Sequence, residues 1–280
     1  FQKTENMSKQ FSDLGLSAPL VKAITEMGIV TPTEIQSEII PLALANTTDL
    51  VGIAKTGTGK TAAFGLPLLD KIDVTNSAVQ AVILVPTREL GNQIFDNLVQ
   101  FAKYKPAISI AVTCGGVPIK PQVERLSQPT HIVIATPGRL IDFVEQKAIY
   151  LDQLDVLVID EADRLLDMGF IPAIKRIVRA CPPKTHRQTL FFSATFNQDV
   201  LNLADQWLFN PVKVEIEPAQ VTNETVQQVV YIVSAEQKYD LLYNLIQLDN
   251  FERVIVFANR RDQVRRLADM LKHHRISCAV

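Results

Sequence analysis

The chain has 280 residues, 47% of them hydrophobic and 21% charged, with a formal net charge of −2 and a pI near 6.1. These proportions exclude a disordered chain and allow one large or two medium domains. They also exclude a global positive field, so any nucleic-acid binding must come from local grooves lined by basic side chains or backbone. Cys114, Cys181 and Cys278 are far apart and form no Cys-x-x-Cys, which argues against zinc and a disulfide framework and for reduced thiols in a cytoplasmic protein. No apolar run approaches the ~18 residues of a membrane span. The polar start, Phe1–Asn6, is not a signal peptide.

The first predicted strand is Leu50–Ala54. It runs into Ala54-Lys55-Thr56-Gly57-Thr58-Gly59-Lys60-Thr61 and then into a helical pattern over Lys60–Leu69. A glycine-rich turn between strand and helix is the context a phosphate-binding loop requires: Gly57 and Gly59 let backbone amides converge on phosphate oxygens, and the helix dipole adds attraction. Lys60 is placed to neutralise the β- and γ-phosphates and Thr61 to ligate Mg2+ through its hydroxyl. Ala54 stands where the general pattern has its first glycine.

Further along, strands are predicted over Ala81–Pro86, Ile108–Cys114, His131–Thr136, Asp155–Asp160, Thr189–Ala194 and Val212–Glu217. Each is apolar at nearly every position, the pattern of a parallel sheet buried on both faces. Helices are predicted over Arg88–Ala102, with Leu90, Ile94, Leu98 and Phe101 on one face, and over Asn197–Trp207, with Val200, Leu201, Ala204 and Leu208 likewise. Strand–helix alternation implies an α/β fold with right-handed crossovers and helices on both faces of the sheet.

The strand Asp155–Asp160 ends in Val156-Leu157-Val158-Ile159-Asp160-Glu161-Ala162-Asp163. Its tip presents two adjacent carboxylates. With the phosphate loop these complete a Mg-nucleotide site: Asp160 is expected to hold the ion, through water, and Glu161 to orient or deprotonate the attacking water. Asp163 is expected to hold other segments in place rather than take part in the chemistry.

After Glu215 the chain turns polar, contains Pro218 and loses its apolar period, which places a linker at 217–226 between a first domain at 8–216 and a second at 227–280. Alternation then restarts: strand Gln228–Ser234, helix Gln237–Leu248, strand Arg253–Ala258, helix Asp262–His273, strand Ile276–Val280. This is shorter than a doubly wound domain of ~100–150 residues, so the chain is expected to be part of a longer protein. His273 and His274 read as a helix C-terminus, where positive side chains are favourable.

These motifs together resemble the DEAD-box RNA helicases of superfamily 2. Gly28-Ile29-Val30-Thr31-Pro32-Thr33-Glu34-Ile35-Gln36 is similar to that family's Q motif, with Phe11 upstream at the family's spacing. The resemblance implies that Gln36 reads the adenine edge and that Phe11 packs near the base. An amide offers donor and acceptor together, which suits that contact. Pro86-Thr87-Arg88-Glu89-Leu90, Gly115-Gly116 and Thr136-Pro137-Gly138-Arg139 resemble the RNA-contacting motifs, each at or just after a predicted strand's C-terminal end. Ser193-Ala194-Thr195 resembles the segment linking the carboxylates to the RNA side, and either Thr195 or Asn197 is positioned to cap the next helix. Val254–Arg260 resembles a motif of the second domain.

The resemblance implies two RecA-like domains, the second incomplete. Lys55, Thr56 and Thr58 join the nucleotide-binding set, and Lys60, Asp160, Glu161, Ser193 and Thr195 the catalytic one. ATP and Mg2+ are the implied cofactors and RNA the implied partner, in pathways such as RNA decay or ribosome assembly. The Asp-Glu-Ala-Asp spelling separates the chain from the DEAH and DNA-helicase relatives, and its mostly short loops and small first domain resemble the bacterial RhlE/RhlB group. The expected activity is ATP-coupled local unwinding of RNA duplexes. A nucleotide-gated RNA clamp and a DNA-directed ATPase motor remain as alternatives. The family's arginine fingers lie in late motifs that this sequence does not contain. A finger contributes about 10³–10⁵ in rate where used, so the chain alone is expected to bind nucleotide weakly and turn over poorly.

Overall fold

In the computed structural model, residues 9–45, 48–195, 197–216, 229–248, 251 and 253–280 are described. The expected linker, 217–226, lies outside them. The chain divides into two units, Phe1–Gln220 and Val221–Val280.

In the first unit, a short 3-10 helix at Phe11–Leu14 precedes α1 (Ala18–Glu26), α2 (Glu34–Leu44), β1 (Leu50–Ile53), α3 (Lys60–Lys71), β2 (Ala81–Leu84) and α4 (Arg88–Phe101). After a second 3-10 turn at Ala102–Tyr104 come β3 (Ile110–Thr113), α5 (Ile119–Leu126), β4 (Ile132–Ala135), α6 (Pro137–Glu145), β5 (Val156–Ile159) and α7 (Ala162–Asp167). The unit ends with α8 (Ile171–Ala180), β6 (Gln188–Ser193), α9 (Gln198–Trp207) and β7 (Val212–Glu215). Every strand segment expected between residues 50 and 217 contains one of these strands, except that β6 begins one residue earlier, at Gln188.

The strands form one seven-stranded sheet in the order β3-β4-β2-β5-β6-β1-β7, parallel at every pairing. Successive strand residues serve opposite faces. Ala81 and Ile83 of β2 and Val156 and Val158 of β5 pack under α1–α4 with Ile24, Ile39, Phe64 and Leu98. Val82, Leu84, Leu157 and Ile159 pack under α6–α9 with Leu140, Phe143, Ile177 and Trp207. Each such side chain contributes roughly 1.5–3 kcal/mol when fully buried, and the buried polar strand residues, Thr113, Gln188, Thr189 and Ser193, lie at or next to strand ends. Only β7, an edge strand, alternates toward solvent, with Val214 its one buried residue. On α9, Leu203 and Trp207 are buried beside Val200 and Ala204, while Leu201 is half-buried. The apolar stripe is therefore rotated from the one expected.

A polar network closes the sheet's N-terminal edge. Asp49 accepts hydrogen bonds from the Thr189 and Phe209 amides (2.7 and 2.6 Å), and Lys71 donates to Gln188 Oε1 (2.6 Å). Burial pushes the Lys71 ammonium down to about 8 from 10.5, against the pull of Asp155. The unfolded chain therefore holds more protons between those values, and the destabilisation from burying this charge, complete below pH 8, fades as pH rises toward 10.5. Relative to Lys71→Met, the parent should gain about 1–2 kcal/mol between pH 7.5 and 10, discounted for partial exposure. Urea unfolding of both proteins at several pH values checks this, and a pH-independent difference would contradict it.

The second unit holds α10 (Lys238–Leu248) and α11 (Arg261–His273). His274 caps α11, as expected, and its Nδ1 lies 2.9 Å from the Tyr239 hydroxyl. The strands expected at 228–234, 253–258 and 276–280 do not form among the described residues. Ile232 is 99% and Phe257 91% exposed. Their sequence has strand character, but a strand exists only when a neighbour takes its amides and carbonyls, and none of these segments pairs.

Candidate active site

An all-parallel sheet sends every strand's C-terminal end to one edge, where α/β folds bind ligands. Strand order then sorts motifs that are scattered in sequence. The neighbours β5, β6 and β1 lead into Asp160, Ser193–Thr195 and the phosphate loop. The neighbours β3, β4 and β2 lead into Gly115–Gly116, Thr136–Arg139 and Pro86–Arg88. One half of the edge thus carries nucleotide chemistry and the other half the second motif set.

In the phosphate loop, Gly57 and Gly59 have φ of +83° and +91°, a region that glycine enters without strain. Gly59 is also required by space, because a Cβ there would stand 2.3 Å from Gln36 Nε2. Ala54 is buried, while Lys55 and Thr56 are exposed. Thr58 Oγ1 donates to the Lys55 carbonyl (2.8 Å), and Thr33 Oγ1 donates to the Thr58 carbonyl (2.9 Å). Gln36 accepts from the Thr33 amide (2.9 Å) and donates to the Gly59 carbonyl (3.1 Å). Both ends of its amide brace the loop against α2. Phe11 is 3% exposed and sits in the core cluster with Leu14 and Leu20.

Lys60 opens α3. It is only 7% exposed, and its ammonium has no hydrogen-bond partner among the described residues. A buried cation without a partner is costly, and a phosphate group would satisfy it. Asp160 is 3% exposed, and burial pushes its carboxyl up to about 6 despite the opposing charge of Lys60 and a 2.9 Å hydrogen bond from the Glu161 amide. The Thr61 hydroxyl and the Asp160 carboxylate are hard oxygen donors of the kind Mg2+ prefers. Among the described residues no cluster of three or more His, Cys, Asp or Glu could hold a metal, so the remaining ligands would be phosphate oxygens and water. The donor chemistry fits Mg2+ bound with a nucleotide.

Glu161 occupies the left-handed region (φ 49°, ψ 52°) at the N-cap of α7. For a side chain with a Cβ this costs roughly 1–3 kcal/mol, and such residues gather at functional sites. Asp163 Oδ2 accepts from the Thr195 amide (3.1 Å) and hydroxyl (2.9 Å), while Ser193 Oγ donates to the Thr195 carbonyl (2.7 Å). Asp163 therefore ties the loop after β5 to the loop after β6. Thr195 is engaged there, and Asn197 caps α9 by accepting from the Val200 amide (2.9 Å).

Pro86, Thr87, Arg88, Gly115, Gly116, Thr136, Gly138 and Arg139 all line one open cleft of about 630 Å³. Glu89, of the same motif as Thr87 and Arg88, completes its wall together with Asp142, Met168 and Phe170, which sequence reasoning missed. Arg88 pairs with Glu89 (3.2 Å). Thr87 caps α4, accepting from the Leu90 amide (3.2 Å). Arg139 donates through both Nη atoms to the Val117 carbonyl (3.2 Å each), and Thr136 Oγ1 accepts from the Gly115 amide (3.1 Å). Arg139 thus organises the glycine loop and does not stand as a free cation.

Residues 33–203 match the DEAD/DEAH box helicase family model. The chain is 44% identical to ATP-dependent RNA helicase RhlB of Pseudomonas putida over 278 residues, covering 96% of this chain and 69% of the relative. It is 39% identical to DEAD-box ATP-dependent RNA helicase CshA of Bacillus cereus, covering 93% of this chain and 49% of the relative. Among solved structures it resembles a DEAD box protein from Methanococcus jannaschii, with TM-score 0.69 and 32% identity over 95% of this chain and 70% of that one. With its phosphate loop, paired carboxylates and sheet arranged as described, the chain belongs to the DEAD/DEAH box helicase family.

Proposed function

We propose that this chain is the nucleotide- and RNA-binding part of an ATP-dependent RNA helicase acting in the cytoplasm. Residues 8–216 form its ATP-binding domain, and residues 227–280 begin its second domain. The observation that carries this reading is the division of one sheet edge into a half with the phosphate loop and carboxylates and a half with the cleft. No helix among the described residues is long and apolar enough to cross a membrane.

In this reading the phosphate-loop amides and Lys60 hold the β- and γ-phosphates, and the Gln36 amide exchanges its bond to the Gly59 carbonyl for the adenine edge when nucleotide binds. Thr61 and Asp160 would hold Mg2+, which would supply charge neutralisation on the phosphates. Glu161 orients the water that attacks the γ-phosphorus. Asp163 joins the Glu161 segment to Thr195, so a change at the carboxylates is passed to the segment after β6. In the cleft the strand's sugar–phosphate backbone meets glycine peptides and threonine hydroxyls, and 2′-hydroxyl contacts select RNA.

Arg88 is paired with Glu89, and Asp142 lines the same cleft as Arg139, so the cleft carries little net charge and few counterions leave on binding. RNA affinity should therefore fall only shallowly with salt. The deciding measurement is steady-state ATP hydrolysis by the full-length protein with single-stranded RNA or DNA of matched sequence. Stimulation by RNA alone is expected. Stimulation by DNA but not by RNA would make the protein a DNA motor. Durable RNA retention on a non-hydrolysable ATP analogue, without unwinding, would make it a clamp.

A further inference from the structure

We infer that Gln122 is a positioning residue for nucleic-acid binding, a clasp that holds the Gly115–Gly116 loop in its receptive shape. The inference rests on the cleft being the RNA site.

Gln122 is the one buried residue of α5, at 9% exposure, in a position where an apolar side chain would be expected. Its amide pairs with both halves of the residue preceding the glycines. The Cys114 amide donates to Gln122 Oε1 (3.0 Å), and Gln122 Nε2 donates to the Cys114 carbonyl (3.2 Å). The same Nε2 donates to the Pro118 carbonyl (3.1 Å). One side chain thus fixes both ends of the segment 114–118.

The segment needs such help. Gly116 has φ +79°, and a Cβ built on Gly115 or Gly116 would meet nothing within 4 Å. Two adjacent glycines facing open cleft have no side chains to hold them, and ordering each backbone costs roughly 1–2 kcal/mol. Thr136 fixes the Gly115 amide and Arg139 the Val117 carbonyl, both from the cleft wall. Gln122 acts from behind and does not line the cleft. Paired amide bonds also set the plane of the Cys114 residue, and with it the direction of the peptide groups that follow. With the clasp present, the ordering cost is met on folding; without it, each binding event must supply it.

The test uses the full-length protein with Gln122→Ala and the near-isosteric Gln122→Met, which keeps the packing volume and removes every hydrogen bond. Fluorescence anisotropy with a single-stranded RNA oligomer is expected to show roughly tenfold weaker binding for both variants, as for the loss of two or three ordinary hydrogen bonds. The RNA concentration for half-maximal ATPase stimulation should rise in step. The rate at saturating RNA and the KM for ATP should hold within about twofold, and the salt slope should not change, because an amide clasp releases no counterions. If Gln122→Ala fails to fold, Gln122→Met carries the test. Parental RNA affinity in Gln122→Met would overturn the inference, as would equal losses in ATP and RNA affinity, the mark of a merely structural residue. A parent that binds no RNA would overturn the RNA reading itself, and the clasp with it; the two failures are told apart by the parent's own binding curve.

Discussion

Lys60→Ala is expected to lower nucleotide affinity and ATP turnover by roughly 10²–10³-fold, the scale seen when one preorganised electrostatic contact to a developing anion is removed. The ammonium is buried, has no hydrogen-bond partner among the described residues, and faces a carboxylate, Asp160, that burial drives toward the neutral form. Its surroundings thus leave its charge short of a strong partner, and a triphosphate would provide one. The same argument gives the sign of the stability change. Removing a buried cation without a hydrogen bond relieves a desolvation penalty, and the Asp160 carboxyl accepts a proton in its place. Without nucleotide, the variant should therefore melt close to the parent; with saturating ATP analogue the parent should gain several degrees and the variant almost none. Thermal unfolding with and without nucleotide reads both effects. A variant that melts much lower on its own and keeps its nucleotide-dependent gain would make Lys60 a structural residue.

How much of this was legible in the sequence depended on where each signal resides. The strands of the first unit were readable because both faces of a parallel sheet are buried, leaving Val156–Ile159 or Ala81–Leu84 without a polar interruption. The site loops were readable because their chemistry is local: glycines, lysine and threonine in the phosphate loop, and two carboxylates at one strand tip. Strand order was not readable, since it is set by crossovers, and with it went the fact that the motifs divide into two halves of one edge. Gln122 gave no signal. Its partners, Cys114 and Pro118, lie eight and four residues upstream, but they are backbone groups, which no residue type in the sequence marks. Gln36 carried a signal, but its bonds to Thr33 and Gly59 show a brace that the sequence did not reveal. The second unit shows the reverse case. The apolar segments 229–234 and 253–258 are strand-like in composition, yet strand formation depends on a neighbour that composition does not contain.

Glu161→Gln is expected to reduce kcat by about 10²–10⁴-fold, the span of general acid–base catalysis, with ATP affinity nearly unchanged. The substitution preserves side-chain length and removes only the ability to carry charge and accept a proton. A second substitution separates chemistry from backbone strain. Glu161 is held at φ 49°, and Glu161→Gly would relieve that conformation. If strain is retained here for function, Glu161→Gly should fold about 1 kcal/mol more stably than the parent while losing the same turnover as Glu161→Gln. Single-turnover hydrolysis and urea unfolding of the three proteins test the pair of expectations together. Parental turnover in Glu161→Gln would move the handling of water elsewhere. Asp163 is poorly placed to inherit it, because its carboxylate already accepts from the Thr195 amide and hydroxyl. Thr195→Val removes the hydroxyl bond to that carboxylate and keeps the amide bond, so a protein relying on Asp163 as its base would change its hydrolysis rate without RNA in this variant, whereas one relying on Glu161 would keep it.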